Sequence, residues 1–341
     1  MLKEPTLFVV GAGASFSLGF PTGVGLVSSI SQKLNFSIDA FGKVQGDQRL
    51  WHAIELACKE TNGKIQEYFK TSREISSGIG LTDSIDRYVD AHSHDPVFSC
   101  IAKLAIAFFI LDAESHANDN YYSKVQELKF LNIPPNYWLA SFCKLHFANF
   151  KRSNLASIFE NVAFVSFNYD RCIQNNLAIG LAKHFRLPDV EAIQLVQLAK
   201  IIHPYGSLGQ VFGGNHSHPF PFGSKLSSTT VLAASKGINT FTEGPSGADF
   251  KTNMSDLMNW CKNIIFVGFD FASPNLELLG APDKAKMPKK VLGTAFNMKR
   301  PNIDFLNQKL PQLFHSPNAV PLREDLKAEE LLEEYSLSLF S

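Results

Sequence analysis

Five short apolar runs constrain this chain more than any other feature. They are Thr6–Val10 (TLFVV), Val162–Phe167 (VAFVSF), Lys200–His203 (KIIH), Asn263–Val267 (NIIFV) and Lys290–Gly293 (KVLG). Each is near-continuously apolar, and each leads into glycine or polar residues at its carboxyl end. Strands that alternate bury one face, whereas strands like these bury both, which is the pattern of a parallel sheet. Parallel neighbours need long crossovers, and helical patterns separate most of the runs. The expected fold is α/β: a Rossmann-like doubly wound parallel sheet with a large helical insertion.

The insertion follows from the uneven spacing. The first run ends at Val10 and the second begins at Val162. Helix-like periodicity occupies Leu50–Phe69, Val97–Asn118 and Asn136–Phe150 in between. Residues 31–154 are therefore expected to form a helical subdomain, with 1–30 and 155–341 forming the sheet domain. A further helix is expected at Val190–Ala199, before the third strand. Residues 212–250 are rich in Gly, Pro and Ser and read as loops around a cleft. Leu326–Leu339 reads as an amphipathic helix with an acidic face. At 341 residues the chain is long for one core, which fits a large domain carrying an insertion.

Charge excludes some functions. The formal net charge is zero and the pI is near 7.1, so direct nucleic-acid binding has no electrostatic support. The 29 phenylalanines imply either a large aromatic core or an assembly interface. Five scattered cysteines with no CxxC pair point to a reducing compartment and no structural zinc. The opening MLKEPTLFVVGAG has no signal-peptide pattern. Ile101–Ala113, the most apolar segment, is shorter than the roughly 20 residues that span a bilayer, and reads as a buried helix. The cytoplasm is the expected location, without membrane association.

Four strand ends carry candidate chemistry. The first run opens into Gly11-Ala12-Gly13-Ala14-Ser15, then Gly19-Phe20-Pro21-Thr22-Gly23. Glycines after a strand allow close backbone approach, and amides at a following helix start attract phosphate. The dehydrogenase GxGxxG pattern fails at Phe16, and no GxxxxGK[ST] loop is present. The second run ends in Asn168-Tyr169-Asp170, where open α/β sheets place ligands. Asn and Asp are also ordinary turn residues, so this end is either a turn or a reaction centre. The third continues as His203-Pro204-Tyr205-Gly206-Ser207. Residues i and i+2 of an extended segment share a face, and Pro204 keeps His203 extended. The fourth ends in Gly268-Phe269-Asp270. His92-Ser93-His94-Asp95 and His216-Ser217-His218 lack a third ligand at metal spacing, so no metal is expected.

In this order, the motifs resemble the sirtuin superfamily. There GAG-x-S holds the NAD pyrophosphate, a G-x-P loop follows, Asn-x-Asp ends a later strand, and a histidine precedes a glycine. The deacylase sirtuins carry zinc cysteines and an acidic-aromatic-Arg run after G-x-P, where this chain has Thr22-Gly23-Val24. FNYD at 167–170, Ser84-Ile85-Asp86 and Gly268–Phe271 are more similar to the sirtuin-like NAD-hydrolysing domains of bacterial antiphage defence. The resemblance implies NAD as substrate, released as nicotinamide and ADP-ribose, with NAD depletion serving abortive infection. It places the dinucleotide against Gly11, Ala12, Gly13, Ser15, Pro21 and Thr22 of the first loop. The later strand ends would add Asp86, Asp170, Tyr205, Gly206 and Ser207, together with Gly268, Phe269 and Asp270.

It also implies Asn168 and His203 as catalytic. Nicotinamide departure builds positive charge on the ribose, as in glycoside hydrolysis. An uncharged amide such as Asn168 can orient a water or a ribose hydroxyl. His203 is the expected general base, because its ordinary pKa is near neutral. The family histidine directly precedes the glycine, however, and Tyr205 stands there. Either His203 acts from one pleat back or Tyr205 takes its place; a hydrogen-bonded core histidine is the bland alternative. Asp170 is expected to orient neighbours or cap a helix. Asp86 would stabilise positive charge near nicotinamide, or serve only as a first-turn acid on a helix capped by Thr82 or Ser84. Two other functions stay open: an NAD or ADP-ribose sensor without turnover, and an NAD-dependent deacylase. Restraint of an NAD hydrolase implies a homo-oligomer or a separately encoded partner, such as a HerA-type ATPase or an Argonaute-like protein.

Overall fold

The β-branched and aromatic run TLFVV forms β1 (Thr6–Val10), and all its residues are buried. In the computed structural model it is the middle strand of a five-stranded parallel sheet. The described residues are 1–82, 84–121, 137–212, 220–239, 243, 248–280, 289–316 and 321–340. His216 and His218 lie outside them, as do residues 213–219, 240–242 and 244–247 of the stretch expected as loops; the rest of that stretch is not all loop, because Ser228–Ser235 is helical. The other sheet strands are β4 (Val162–Ser166), β5 (Lys200–Ile202), β6 (Asn263–Val267) and β7 (Lys290–Gly293). A small hairpin supplies β2 (Ser37–Ile38) and β3 (Val44–Gln45). The order is β5-β4-β1-β6-β7, with Phe8 beside Phe164 and Ile265. The chain thus winds outward from β1 in both directions, and the fold is Rossmann-like α/β.

Period-two alternation sorts β1 between two cores. Phe8 and Val10 face one, and Leu7 and Val9 the other. The second face is covered by α10 (Ala248–Trp260), α11 (Ser273–Leu279) and α12 (Arg300–Leu313). The first face meets α1 (Gly23–Lys33), α6 (Trp138–Phe147), α7 (Cys172–Phe185) and α8 (Asp189–Val196). Rings lock this side: Phe8 lies 5.4 Å from Phe164 and meets Phe142 edge-on at 5.3 Å. Such aromatic pairs add about 0.5–1.5 kcal/mol beyond burial.

Residues 31–154 share this core. Its helices are α2 (Gln48–Glu60), α3 (Ile65–Gly78), α4 (Ile85–Ala91), α5 (Pro96–Tyr121) and α6. The later helix α9 (Ser228–Ser235) packs against both α2 and α5. The single periodic stretch expected at Leu50–Phe69 is two helices. Asn62 turns left-handed at φ 53°, and the Gly63 amide donates to Cys58 O at 2.9 Å, which closes α2. Helix α5 exceeds the apolar run that marks it. Over Pro96–Ala117 it is long and apolar enough to cross a membrane by length and composition. Its Ile101, Leu104, Ala105 and Leu111 are buried, however, as in a core helix.

The expected tail helix is also split, into α13 (Ala328–Glu334) and α14 (Ser336–Leu339), with Tyr335 between. Its faces are as expected, with Leu331, Leu332 and Leu339 buried and Glu330, Glu333 and Glu334 exposed. The tail ties the chain ends together through a bridge between Leu2 and Phe340.

Candidate functional site

The β1 and β6 ends touch through glycines. Gly268 has φ 57°, and a Cβ there would overlap the Ala14 amide. A Cβ on Gly11 would stand 2.6 Å from Gly268 O. Close approach therefore requires Gly11 and Gly268. The Gly11 amide donates to Val267 O at 3.0 Å, and that of Gly13 to Gly268 O at 2.9 Å. These two amides are therefore engaged inside the fold, although Gly11, Ala12 and Gly13 line the cleft. Nor does an α-helix start at the glycines. Ala12–Leu18 is a 3-10 turn ended by Gly19 at φ 87°, and α1 begins only at Gly23. Thr22 caps α1, its Oγ1 accepting from Gly25 N at 3.3 Å.

The strand end after β4 is both turn and wall. The Asn168 side-chain amide donates to Gly11 O at 3.0 Å and to Ser15 Oγ at 3.5 Å. Asp170 accepts from Ser15 Oγ at 2.8 Å and from the Cys172 amide at 3.0 Å, which starts α7. Ser15 is thus committed to the carboxyl and amide of this turn. The Tyr169 hydroxyl reaches out to donate to Asp86 Oδ1 at 2.5 Å.

Burial lifts the Asp86 carboxyl to about 6; the Tyr169 hydrogen bond opposes the rise and Asp270 adds to it. Asp86 lies in the first turn of α4, whose N-cap Ser84 makes no side-chain cap bond. Thr82 Oγ1 instead accepts from the Ser84 amide at 3.3 Å. Of the two expected roles, Asp86 therefore has the position of a first-turn acid while also facing the cleft.

His203 stands behind this wall. Its Nδ1 lies 3.0 Å from the Asn168 carbonyl, which can only accept, so Nδ1 carries the proton. Its Nε2 then accepts from the Gln174 side-chain amide at 2.9 Å. Burial lowers the His203 pKa, which keeps the ring neutral in this tautomer. Tyr205 is buried too, and its hydroxyl donates to Asn275 Oδ1 at 3.0 Å. Gly206, at φ 73°, packs against the Gly237 carbonyl, which also accepts from the Ser207 amide at 3.1 Å. His203, Tyr205, Gly206 and Ser207 thus build a support.

A cleft of about 810 Å³ opens at the carboxyl ends of β1, β4, β6 and β7. Of the expected residues, Gly11, Ala12, Gly13, Pro21, Thr22, Asp86, Asn168, Asp170, Gly268, Phe269 and Asp270 line it. Ser15, His203, Tyr205, Gly206 and Ser207 do not. The cleft also has walls that the sequence reading missed, at Thr294–Met298 after β7 and Lys327–Glu329 at the start of α13.

A second omission is the Arg171–Glu114 pair. Both side chains are almost fully buried, with Arg171 Nη2 at 2.6 Å from Glu114 Oε2 and Nε at 3.1 Å from Oε1. The same guanidinium donates to the carbonyls of Gln210, Phe220 and Pro221. The acids Asp112 and Glu114 at the end of the apolar stretch IAFFILDAES were the available signal, since a buried acid needs a partner.

His92 stacks on Phe98 at 4.4 Å and donates from Nδ1 to Tyr88 O at 2.9 Å. Among the described residues, no three His, Cys, Asp or Glu side chains converge as a metal set. No protein-family model matches the chain, and no curated protein matches it.

Proposed function

We propose that the cleft binds NAD and hydrolyses it to nicotinamide and ADP-ribose. One observation carries this reading. The Gly11–Thr22 loop, the Asn168–Asp170 strand end and the Gly268–Asp270 loop are remote in sequence yet line one cleft. Those are the motifs that resemble the sirtuin-like hydrolases, at the edge of the sheet where α/β folds bind ligands. A volume near 810 Å³ falls in the range of cofactor sites.

The chemistry asks little of the protein. The ribose–nitrogen bond breaks, its electron pair leaves with a now neutral nicotinamide, and water adds to the cationic ribose carbon and loses a proton to solvent. Asn168 Nδ2 is anchored by Gly11 O and Ser15 Oγ, so its Oδ1 is the acceptor that orients water or a ribose hydroxyl. Asp170 and Ser15 hold that amide. His203 is a positioning residue in this reading, fixing the Asn168 main chain from behind. Unrestrained turnover would exhaust NAD. The proposal therefore includes antiviral abortive infection in the cytoplasm as the setting, with restraint by self-assembly or a separately encoded partner.

One observation favours a second reading, binding of NAD or ADP-ribose without turnover: both His203 nitrogens are engaged inside the fold. Nicotinamide release from NAD, read by chromatography beside calorimetric NAD binding, separates the two. Hydrolysis predicts release by wild type, alone or with lysate of phage-infected bacteria that supplies the partner or trigger, and its loss in Asn168→Ala under both conditions. Binding without release supports the sensor. No binding overturns both.

A further inference from the structure

We infer that Asn275 is a substrate-contacting residue of the cleft, donating to a neutral oxygen of the bound nucleotide, and that Tyr205 is the positioning residue that aims it. The inference deepens the NAD reading and rests on it for the identity of the ligand. Asn275 lies in the first turn of α11, and none of the motifs read from the sequence includes it. It is buried, and it lines the cleft beside the Gly268–Asp270 loop. Its carboxamide carries one acceptor atom and one donor atom with two protons. The acceptor, Oδ1, is taken by the Tyr205 hydroxyl at 3.0 Å. Among the described residues nothing accepts from Nδ2. Nor is Nδ2 one of the side-chain atoms sealed from solvent without a partner, which are Trp138 Nε1, Gln174 Oε1 and Ser316 Oγ. Its N–H groups therefore face the open cleft.

Tyr205 holds the amide in that sense. It is buried and does not itself line the cleft. Its ring packs 5.9 Å from Phe167, and its carbonyl accepts from the Asn239 amide at 2.9 Å. Burial raises the pKa of its hydroxyl, and Asp86 and Asp270 raise it further, so the group stays protonated and donates. A donating hydroxyl selects the amide oxygen of Asn275, which turns the amide nitrogen toward the cleft.

The surrounding charge selects the atom that Asn275 meets. Asp86 and Asp270 lie close enough to act on the Tyr205 hydroxyl, and both line the cleft. Asp90 and Glu277 add to the same field. A phosphate oxygen placed on the Asn275 amide would be repelled by these acids, whereas a neutral oxygen would not. On a nicotinamide dinucleotide the neutral oxygens that accept well are the carboxamide carbonyl and the ribose hydroxyls. Both offer the same chemistry to an N–H donor, and the ligands below tell them apart.

The test is calorimetric binding of the full chain to the carbocyclic analogue of NAD, which resists hydrolysis, and to ADP-ribose, which has no carboxamide. Asn275→Ala should weaken the analogue about three- to tenfold, the size of one neutral hydrogen bond. An equal loss for ADP-ribose assigns the bond to a ribose hydroxyl, and a loss confined to the analogue assigns it to the carboxamide. Tyr205→Phe should weaken the analogue about two- to threefold in the wild-type background and not at all beside Asn275→Ala, because it acts through that amide. A tyrosine that only props the fold would show the same loss in both backgrounds. Asn275→Ser leaves a shorter side chain that does not reach the ligand, and should match the alanine variant; urea midpoints of each variant check its folding. Unchanged affinity in both Asn275 variants, or a Tyr205→Phe loss that persists without Asn275, would overturn the inference and leave the NAD reading standing. A wild type that binds neither ligand overturns both. Nicotinamide release from NAD is read in parallel: the predicted losses of affinity without any release sink the hydrolase and leave Asn275 in its role.

Discussion

Replacing Arg171 by methionine should cost more stability than any single cleft substitution. The guanidinium makes two bonds to Glu114 and one each to the carbonyls of Gln210, Phe220 and Pro221. It also lies 5.1 Å from the Phe220 ring centroid. Methionine fills much of the volume and removes every donor. Glu114 is then a carboxylate with no cation, inside an apolar helix, and such a broken pair costs about 3–5 kcal/mol. Against a usual domain stability of roughly 5–15 kcal/mol, that is a large fraction. The double variant Arg171→Met, Glu114→Leu removes the stranded charge too, and should recover at least about 2 kcal/mol of the loss. Urea unfolding followed by circular dichroism gives both numbers from the midpoint and slope. A single-variant loss under about 1 kcal/mol, or a double variant no better than the single, would refute the reasoning. The consequence reaches the cleft, because the loop that Arg171 pins begins where Leu208 N donates to Tyr169 O.

Four further outcomes are expected. Buried His146 accepts from the Leu2 amide and donates to Ile158 O, and burial holds its pKa near 4. The unfolded chain takes up that proton first, so stability should fall by up to ~3 kcal/mol as pH drops from about 6.5 to 4. His146→Gln should flatten this part of a urea-midpoint-against-pH profile. Gly268→Ala should cost over about 2 kcal/mol and abolish NAD binding, because its Cβ would enter the Ala14 amide. Gly42→Ala, at φ 79° with open space around it, should cost only about 1 kcal/mol in the same unfolding assay. Finally, His203→Gln, which keeps a donor for the Asn168 carbonyl, should retain most nicotinamide release; a general base would lose about 10²–10⁴-fold.

Much of the fold was legible because its signals are local. TLFVV, NIIFV and KVLG declare buried strands by composition, and their bounds match the strands β1, β6 and β7. The break within Leu50–Phe69 did carry a signal, the turn pair Asn62-Gly63 inside six residues without an apolar side chain, but the apolar spacing resumes at Ile65, seven residues after Cys58, and so reads as one helix. The length of α5 was legible by contrast: the periodicity expected over Val97–Asn118 nearly spans Pro96–Tyr121, although the most apolar run within it is only Ile101–Ala113. The Thr294–Met298 and Lys327–Glu329 walls carry no motif. They enter the cleft because β7 neighbours β6 and because Arg323, ahead of α13, bridges to Thr294.

The histidine shows where strand-end reasoning needs the sheet order. Residues His203 and Tyr205 were expected to share a face toward the ligand, and both instead turn into supporting contacts. Their strand, β5, is an edge strand, separated from β1 by β4. The cleft is walled by the ends of β1, β4, β6 and β7, so a group after β5 reaches it only past Asn168 and Tyr169. Nothing in IIHPYGS encodes that separation, because strand order is a property of the whole chain. Asn168 is different. It follows β4, which pairs directly with β1, and its amide therefore meets Gly11 and Ser15 across one strand spacing. The same adjacency that makes Asn168 a cleft residue makes His203 its buttress, and the His203→Gln outcome tests that assignment.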